Sequence, residues 1–407
     1  MLRTELTLAA RNLVRERRRT LISLAAIVVG VVGFLLASGF IEWIFWAIRE
    51  SAIDNGLGHV QVSAKGFREF GEADSRKYQI PATGPELDAI GRVEGVVAVS
   101  PRLIVSGLAS HGDVTVPFAG EGVEPRVDAK ISKDIAVEGD PLDAQAAPKG
   151  VVLGRGLAKG LGVKRGDAVT FLTTGPSGGM RGVEGTVRGV FSTGVKAYDD
   201  LAVRMPLALA QQLVGTKRVH LWVVGLDDTA RTDEAAAAIG KIVAGSGKEL
   251  RTWYDLSDFY RKTIRLMSRQ MIVVAVLIAM ILVLGIANLL MMSTLERTGE
   301  IGTMLAMGTP RRSVLRMHIA EGLLLGMAGA IAGTVIGIVL ALLISWIGIP
   351  MPPPPGRDTG YSAAILLGVP VVVEAIVLAL VSSAVAGIYP AWRASRMSIV
   401  DALRQNH

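Results

Sequence analysis

The stretch "TTGPSGGMRG", Thr173 to Gly182, is glycine-rich enough to suggest a loop that cradles phosphate. It lacks the Gly-Lys-Ser/Thr ending of a P-loop, and it falls between two strand-like runs rather than between a strand and a helix. It reads as the flexible tip of a hairpin. No other stretch supplies a Walker A lysine, so any ATP this protein uses is expected to be hydrolysed by another chain. The acidic pairs Asp199-Asp200 and Asp227-Asp228 are adjacent rather than opposed, which fits loop solvation or helix capping. His59, His111, His220, His318 and His407 are scattered without ligand spacing, and there is no cysteine. No catalytic residue and no metal site is expected; the chain reads as non-catalytic.

The elements that must position the remaining candidates are set by hydropathy. Half of the 407 residues are hydrophobic, and the mean hydropathy of +0.44 is high for a soluble domain. The apolar residues gather in four blocks, each long enough for the about 20 residues that cross a bilayer as a helix. The first block is too long for a signal peptide and runs on into "FIEWIFWAIRE", whose Trp43, Phe45 and Trp46 suit a membrane interface, so an uncleaved anchor is expected.

Charge sets the orientation. The first 19 residues carry net +4, the segment from Glu296 to the third block +2, and the tail from Pro390 +2, whereas Glu50 to Leu266 holds 27 basic and 27 acidic residues. Lys and Arg near span ends favour the cytoplasm. The expected order is a basic cytoplasmic segment (1–19), transmembrane helix 1 (20–47), an extracytoplasmic α/β domain (48–265), and helix 2 (266–295). A short cytoplasmic helix (296–312), helix 3 (313–346), an extracytoplasmic Pro-rich loop (347–361), helix 4 (362–389) with a kink at Pro370, and a cytoplasmic tail (390–407) follow. The fold class is an α-helical membrane protein with four transmembrane helices and a large extracytoplasmic α/β domain. The basic pI follows from this bias and requires no nucleic acid.

Alternating or β-branched runs predict strands at His59, Val96, Val114, Ala168, Glu184 and Leu221, and helices over Gly84–Val93, Pro206–Val214 and Asp228–Ala244. "VVLGRGLAKGLGVKRGDAVTF", Val151 to Phe171, reads as strand, short helix, Gly166-Asp167 turn, strand. Asp255 to Met271 has helical spacing and no breaker before the second span, so one rigid helix is expected to join them.

"EIGTMLAMG" places Ile301, Met304 and Leu305 at i, i+3, i+4, a two-turn helix closed by Gly308, with Thr309-Pro310 as cap and first residue of the next helix. Its small apolar face suits either a soluble partner or a lipid surface, and periodicity does not choose.

"LERTGEIGTMLAMGTPRRSVLRMHIAEGLLLGMAGAIAGTVIGIVLA" resembles the signature of the MacB/FtsX-type (type VII) ABC transporter permeases, and the similarity extends along the chain to "LAARNLVRERRRTLIS", an amphipathic N-terminal segment, and "YPAWRASRMSIVDALR". "VVLGRGLAKGLGVKRGDAVTF" and "VRGVFSTGVKAYDDLAVRMPLALAQQLVG" look most like the lipoprotein-releasing LolC/LolE branch.

The resemblance implies a MacB-like periplasmic domain, with a βαβ-rich subdomain and an inserted β-rich lobe at about Lys130 to Asp199. It implies a bacterial inner membrane location and a coupling helix contacting an ATPase dimer through Glu300, Ile301, Gly302, Met304, Leu305 and Gly308. ATP and Mg would sit in that partner, with no cofactor in this chain. A second permease chain, identical or paralogous, membrane lipids, and a periplasmic carrier or outer-membrane partner complete the implied assembly. Substrate would be a lipid-linked or amphipathic molecule moved on the outer side by mechanotransmission, with acyl chains near Phe40, Ile44, Phe45, Ile264, Met267 and Met271. An FtsX-like signalling subunit that activates a periplasmic partner without transport is the alternative.

Gly322, Gly326, Gly329, Gly333 and Gly337 form small-xxx-small patterns for close helix packing, against a helix of this chain or of a second permease. Glu321 and Glu374 fall at or inside spans, Glu321 matching a glutamate of the family motif; Glu374 reads as a packing residue ahead of a proton-coupling one.

Overall fold

The structure, a computed structural model, describes residues 15, 17–71, 76–133, 135–175, 178–352 and 360–396. Most of the segments 1–19 and 390–407, and residues 353–359 of the Pro-rich loop, therefore lie outside the described residues. In chain order the main elements begin with α1 (Arg17–Ala52), β1 (Val60–Ala64), α2 (Pro85–Ile90), β2 (Val96–His111), β3 (Val114–Val123), β4 (Ala136–Gly139) and β5 (Gly150–Gly154). Next come α3 (Arg155–Leu161), β6 (Ala168–Thr174), β7 (Met180–Ser192), β8 (Ala202–Pro206), α4 (Leu207–Val214), β9 (Leu221–Leu226), α5 (Thr232–Val243) and β10 (Lys248–Thr252). The chain closes with α6 (Asp258–Glu296), α7 (Thr298–Ala306), α8 (Arg311–Ile347) and α9 (Val369–Ser395). Two compact units result: Met1–Trp46 with Thr263–Pro350 and Ser362–His407, and Ala47–Lys262 with Met351–Tyr361.

In the helical unit, α1, α6, α8 and α9 are each long and apolar enough to cross a membrane. The glycines of α8 explain how they pack. A Cβ on Gly329 would lie 2.5 Å from Ile27, one on Gly333 2.8 Å from Val31, and one on Gly337 2.8 Å from Leu35. These pairs step along both helices four residues at a time, so α8 and α1 approach backbone to backbone. Gly322 and Gly326 meet the Ser383 region of α9 in the same way. The glycine stripe is thus filled within this chain. Ile27, Val31, Leu35, Leu282, Ile286, Leu325, Ala375 and Ala379 form the core around it.

The fourth helix departs from expectation. Tyr361–Ala363 is a short strand paired with Ile349–Met351, and the helix starts at Val369 rather than Ser362. Residues 364–368 are irregular because side chains and backbone of neighbouring helices take their hydrogen bonds: Ile365 N–H donates to Ser345 Oγ at 2.9 Å, and Leu366 N–H to Gly39 O at 3.0 Å. Pro370 sits in the first turn, where a missing N–H costs nothing, and so produces no kink. Likewise Pro310 precedes α8 as its N-cap and the helix begins at Arg311, one residue later than the expected cap placed it.

The other unit is built on a ten-stranded sheet in the order β10-β1-β9-β2-β3-β8-β5-β7-β4, with β6 bridging β2 and β7. All pairs are antiparallel except β3–β8 and β5–β7. The part expected to be βαβ-rich is antiparallel throughout: β10, β1, β9 and the Val96–Arg102 half of β2. The β-rich lobe is wider than residues 130–199, because β2 from Leu103 onward and β3 belong to it. Val60, Val62, Leu103, Phe118, Leu153, Phe171 and Trp222 share one buried core with Leu157 of α3, Leu213 of α4 and Ile239 of α5.

His59 stands just before β1 and is 6% exposed. Its Nδ1 accepts the Leu226 N–H at 3.1 Å, which leaves Nε2–H to donate to Thr229 Oγ1 at 3.1 Å, and that hydroxyl meets Glu50. Burial lowers the imidazole to about 4 from 6.5. A group with a depressed basic pKa binds its proton more readily when unfolded, so stability is complete above about 6.5 and declines as pH falls toward 4. We expect thermal melts of the full chain to lose midpoint between pH 7.5 and 5, with a shallower loss in His59→Gln. An unchanged slope would remove His59 from the cause.

Gly333→Ala places a methyl against the branched carbon of Val31; overpacking of this kind costs about 1–3 kcal/mol. Gly285→Ala, on α6 with nothing within 4 Å of its Cβ position, is the control. Detergent-solubilised Gly333→Ala is expected to melt below both the wild type and Gly285→Ala.

Candidate functional site

Three places gather the chain's functional groups. The first is α7. Arg297 leaves the helical path between α6 and α7, and Gly308, at φ +93°, turns the chain toward α8. The Gly308 N–H donates to Leu305 O and the Thr309 N–H to Met304 O, so the C-terminal carbonyls are satisfied. Glu300 receives Arg15 at 3.2 Å and Arg297 at 3.1 Å, and Arg297 also reaches Glu321 of α8 at 3.4 Å. Glu321 is 3% exposed, so this bridge is the buried anchor of the group.

The coupling residues divide. Ile301, Gly302 and Leu305 are buried, with Ile301 and Leu305 packed against Val314 of α8 and Ala394 of α9. They hold α7 to its own chain, and a partner cannot grip them. Glu300 and Gly308 are exposed and Met304 half-buried; the exposed surface is completed by Thr303, Ala306 and Met307. Met307 is 75% exposed, and the i, i+3, i+4 pattern did not mark it because it lies outside the buried face.

The second is a cavity of about 460 Å³ between α1, α6 and α9, lined among others by Phe34, Glu42, Phe45, Met271, Ile272 and Glu374. Of the substrate candidates only Phe45 and Met271 line it. Phe40 is half-buried and stacks on Trp43 with ring centroids 6.4 Å apart, and Ile44, Ile264 and Met267 are half-buried elsewhere. Glu42 was not singled out by spacing; the signal is a lone carboxylate just beyond an uncharged apolar run.

The third is a buried charge cluster in the α/β unit that no sequence pattern announces. Asp128 takes Arg102 at 2.7 Å and Arg204 at 2.8 Å, one on each oxygen, and Arg102 also reaches Glu121 at 3.1 Å. Ser100 and Ser132 donate to the same carboxylate at 3.1 Å. Burial alone would raise the Asp128 carboxyl; the two guanidiniums and the serines outweigh it and hold it below the usual range. Arg102 also donates to the carbonyl of Gly56, whose φ of +111° admits no side chain easily and where a Cβ would meet Arg204 at 2.5 Å. The cluster is an anchor for the turn that follows α1, since every carboxylate in it is occupied by an arginine or hydroxyl. No free acid or base remains for chemistry.

Two family models match the chain: the MacB-like periplasmic core domain over residues 20–242 and the FtsX-like permease C-terminal over 272–399. A macrolide export ATP-binding/permease protein MacB of Rhodospirillum rubrum is 26% identical over 89% of this chain and 56% of its own length. A lipoprotein-releasing system transmembrane protein LolC of Xylella fastidiosa is 26% identical over 78% of this chain and 80% of its own. Among solved structures, the periplasmic region of MacB from Actinobacillus actinomycetemcomitans aligns over 53% of this chain and 94% of that one, at 15% identity and a TM-score of 0.38. With an α/β periplasmic-type domain and four apolar helices, the chain belongs to the ABC transporter permeases of the MacB/FtsX type. It spans just over half the length of the MacB relative and most of LolC.

Asp128→Asn would leave two buried guanidiniums facing a neutral amide; breaking a buried pair in this way costs about 3–5 kcal/mol. We expect the full chain to lose most of its α/β-domain protection in hydrogen exchange around Gly56 and β8, whereas Asp143→Asn, at a half-buried loop position between β4 and β5, leaves it unchanged.

Proposed function

We propose that this chain is the membrane subunit through which a separate ABC ATPase drives movement or extraction of a lipid-linked or amphipathic substrate on the outer side of a bacterial inner membrane. The observation that carries the reading is a separation within one helix. The cavity touches α6 at Ser268 to Ala275, and α7 follows directly after Glu296. Those points lie roughly 30–40 Å apart along an ideal helix. Nucleotide chemistry at α7 therefore cannot touch a molecule in the cavity, and only motion of the helices connects the two.

Several features support it. The net-positive segments flank the α7 end and the chain termini, which supports a cytoplasmic side for them under the positive-inside rule. The exposed Glu300, Thr303 and Met307, with the half-buried Met304, give an ATPase a mixed polar and thioether surface. Mg-ATP would be held by that ATPase dimer. Pairing of two such permeases is part of the proposal, with the second copy identical or related. The reported relatives are named for export and release, which favours transport over the signalling alternative.

The chain has no cysteine, so single reporters can be introduced cleanly. Met307→Cys is expected to react with an impermeant maleimide only from the cytoplasmic side. Met304→Asp and Met307→Asp are expected to lose co-purification of an ATPase and the ATP hydrolysis it brings. Phe45→Asp should keep both while losing substrate-stimulated hydrolysis. Labelling of Met307→Cys from outside alone, or activity of the purified chain without an ATPase, would sink the proposal.

A further inference from the structure

The cavity between α1, α6 and α9 is apolar along most of its wall, with Phe34, Phe45, Met271 and Ile272 among its lining residues. Its volume of about 460 Å³ falls within the range of small-molecule sites, roughly 300–1,000 Å³. Two carboxylates reach its rim from different helices, Glu42 of α1 and Glu374 of α9, both exposed on the side away from the helix core. Glu374 is the sixth residue of α9, inside one of the four helices apolar enough to cross a membrane. No lysine, arginine or histidine lines the cavity. Among the described residues, no hydrogen bond or ion pair engages either carboxylate.

An ionised carboxylate in an apolar span needs a counter-charge, a proton or water. No cationic side chain is among the residues that line this place. A resident divalent metal is a poor fit: Ca²⁺ takes six to eight oxygen ligands, and among the described residues no group of three or more metal-ligating side chains converges. The complementary guest has a cationic head for the two carboxylates and a hydrocarbon body for the aromatic and thioether wall. Ser38, one turn from Glu42, and Ser268 on α6 add hydroxyls to the same cavity, acceptors for further ammonium hydrogens.

We infer that this cavity binds a cationic amphiphile, an alkyl chain ending in an ammonium group, with Glu42 and Glu374 holding the head. The inference rests on the amphiphile-handling reading above and narrows it to one charge. It makes the two glutamates specificity-determining: an amphiphile with an uncharged head fills the same apolar space but leaves both carboxylates without a partner.

Native mass spectrometry of the full chain in maltoside micelles tests this, with stearylamine and stearyl alcohol as probes of equal chain length. Wild type is expected to retain stearylamine at least about tenfold more tightly than the alcohol, the scale of a charge-assisted hydrogen bond. Glu374→Gln and the double variant Glu42→Gln/Glu374→Gln, near-isosteric changes, are expected to lose that preference while leaving alcohol binding as it was. Equal retention of both probes by wild type, or unchanged amine retention in the double variant, overturns the inference. Ser268→Trp, which fills the cavity, separates the two levels of the reading. If it weakens both probes while the Gln variants change nothing, the cationic preference is wrong and amphiphile binding stands. If it weakens neither, both fall.

Discussion

Close approach of α8 to α1 is the contact on which the helical unit depends. In an apolar solvent there is no hydrophobic reward for bringing helices together, so packing itself must supply the attraction. Three glycines spaced four apart let Ile27, Val31 and Leu35 enter the surface of α8 as far as its backbone. Gly322 and Gly326 do the same toward α9. One helix is therefore clasped on two sides, and the position of α9 fixes one wall of the cavity. The arrangement of Glu374 relative to Glu42 is a downstream result of residues that carry no functional group at all.

The same logic appears in reverse at α7. Its apolar residues are spent on Val314 and Ala394, so the helix is held rigidly on the ends of α8 and α9. The Arg297–Glu321 bridge adds a polar tie to α8. A helix fixed in this manner has its position set by the helices it packs against, whereas one held by a loop alone would not. What it exposes is correspondingly small, a few side chains ending at Met307.

Much of this was legible in the sequence, and the reasons differ by element. The four long helices follow from composition, because a run of apolar residues that long has few other fates. The turn at Gly308 and the glycine stripe were readable from residue type, though not the identity of the stripe's partner. The start of α9 was not: Ser362 to Gly368 is apolar enough for a span, but pairing of Tyr361–Ala363 with Ile349–Met351 and hydrogen bonds from the Ile365 and Leu366 N–H groups to Ser345 Oγ and Gly39 O hold it out of helix. What α7's apolar face packs against was not readable for a similar reason, since periodicity reports that a face is buried without saying against what. Arg102, Asp128 and Arg204 were invisible because their pairing depends on strands brought together from distant parts of the chain. Glu42 and Glu374 share that limitation, as convergence of two helices cannot be read from either alone.

One feature of the α/β unit governs how it would come apart. β2 runs for sixteen residues, and its first half closes the four-stranded antiparallel portion while its second half opens the lobe built on β3, β6 and β8. The two portions share a single spine with no hinge residue between Arg102 and Leu103. Each half has its own partners, so fraying at either end of β2 stays local, but unravelling that reaches its middle passes straight from one portion to the other with no linker to stop it.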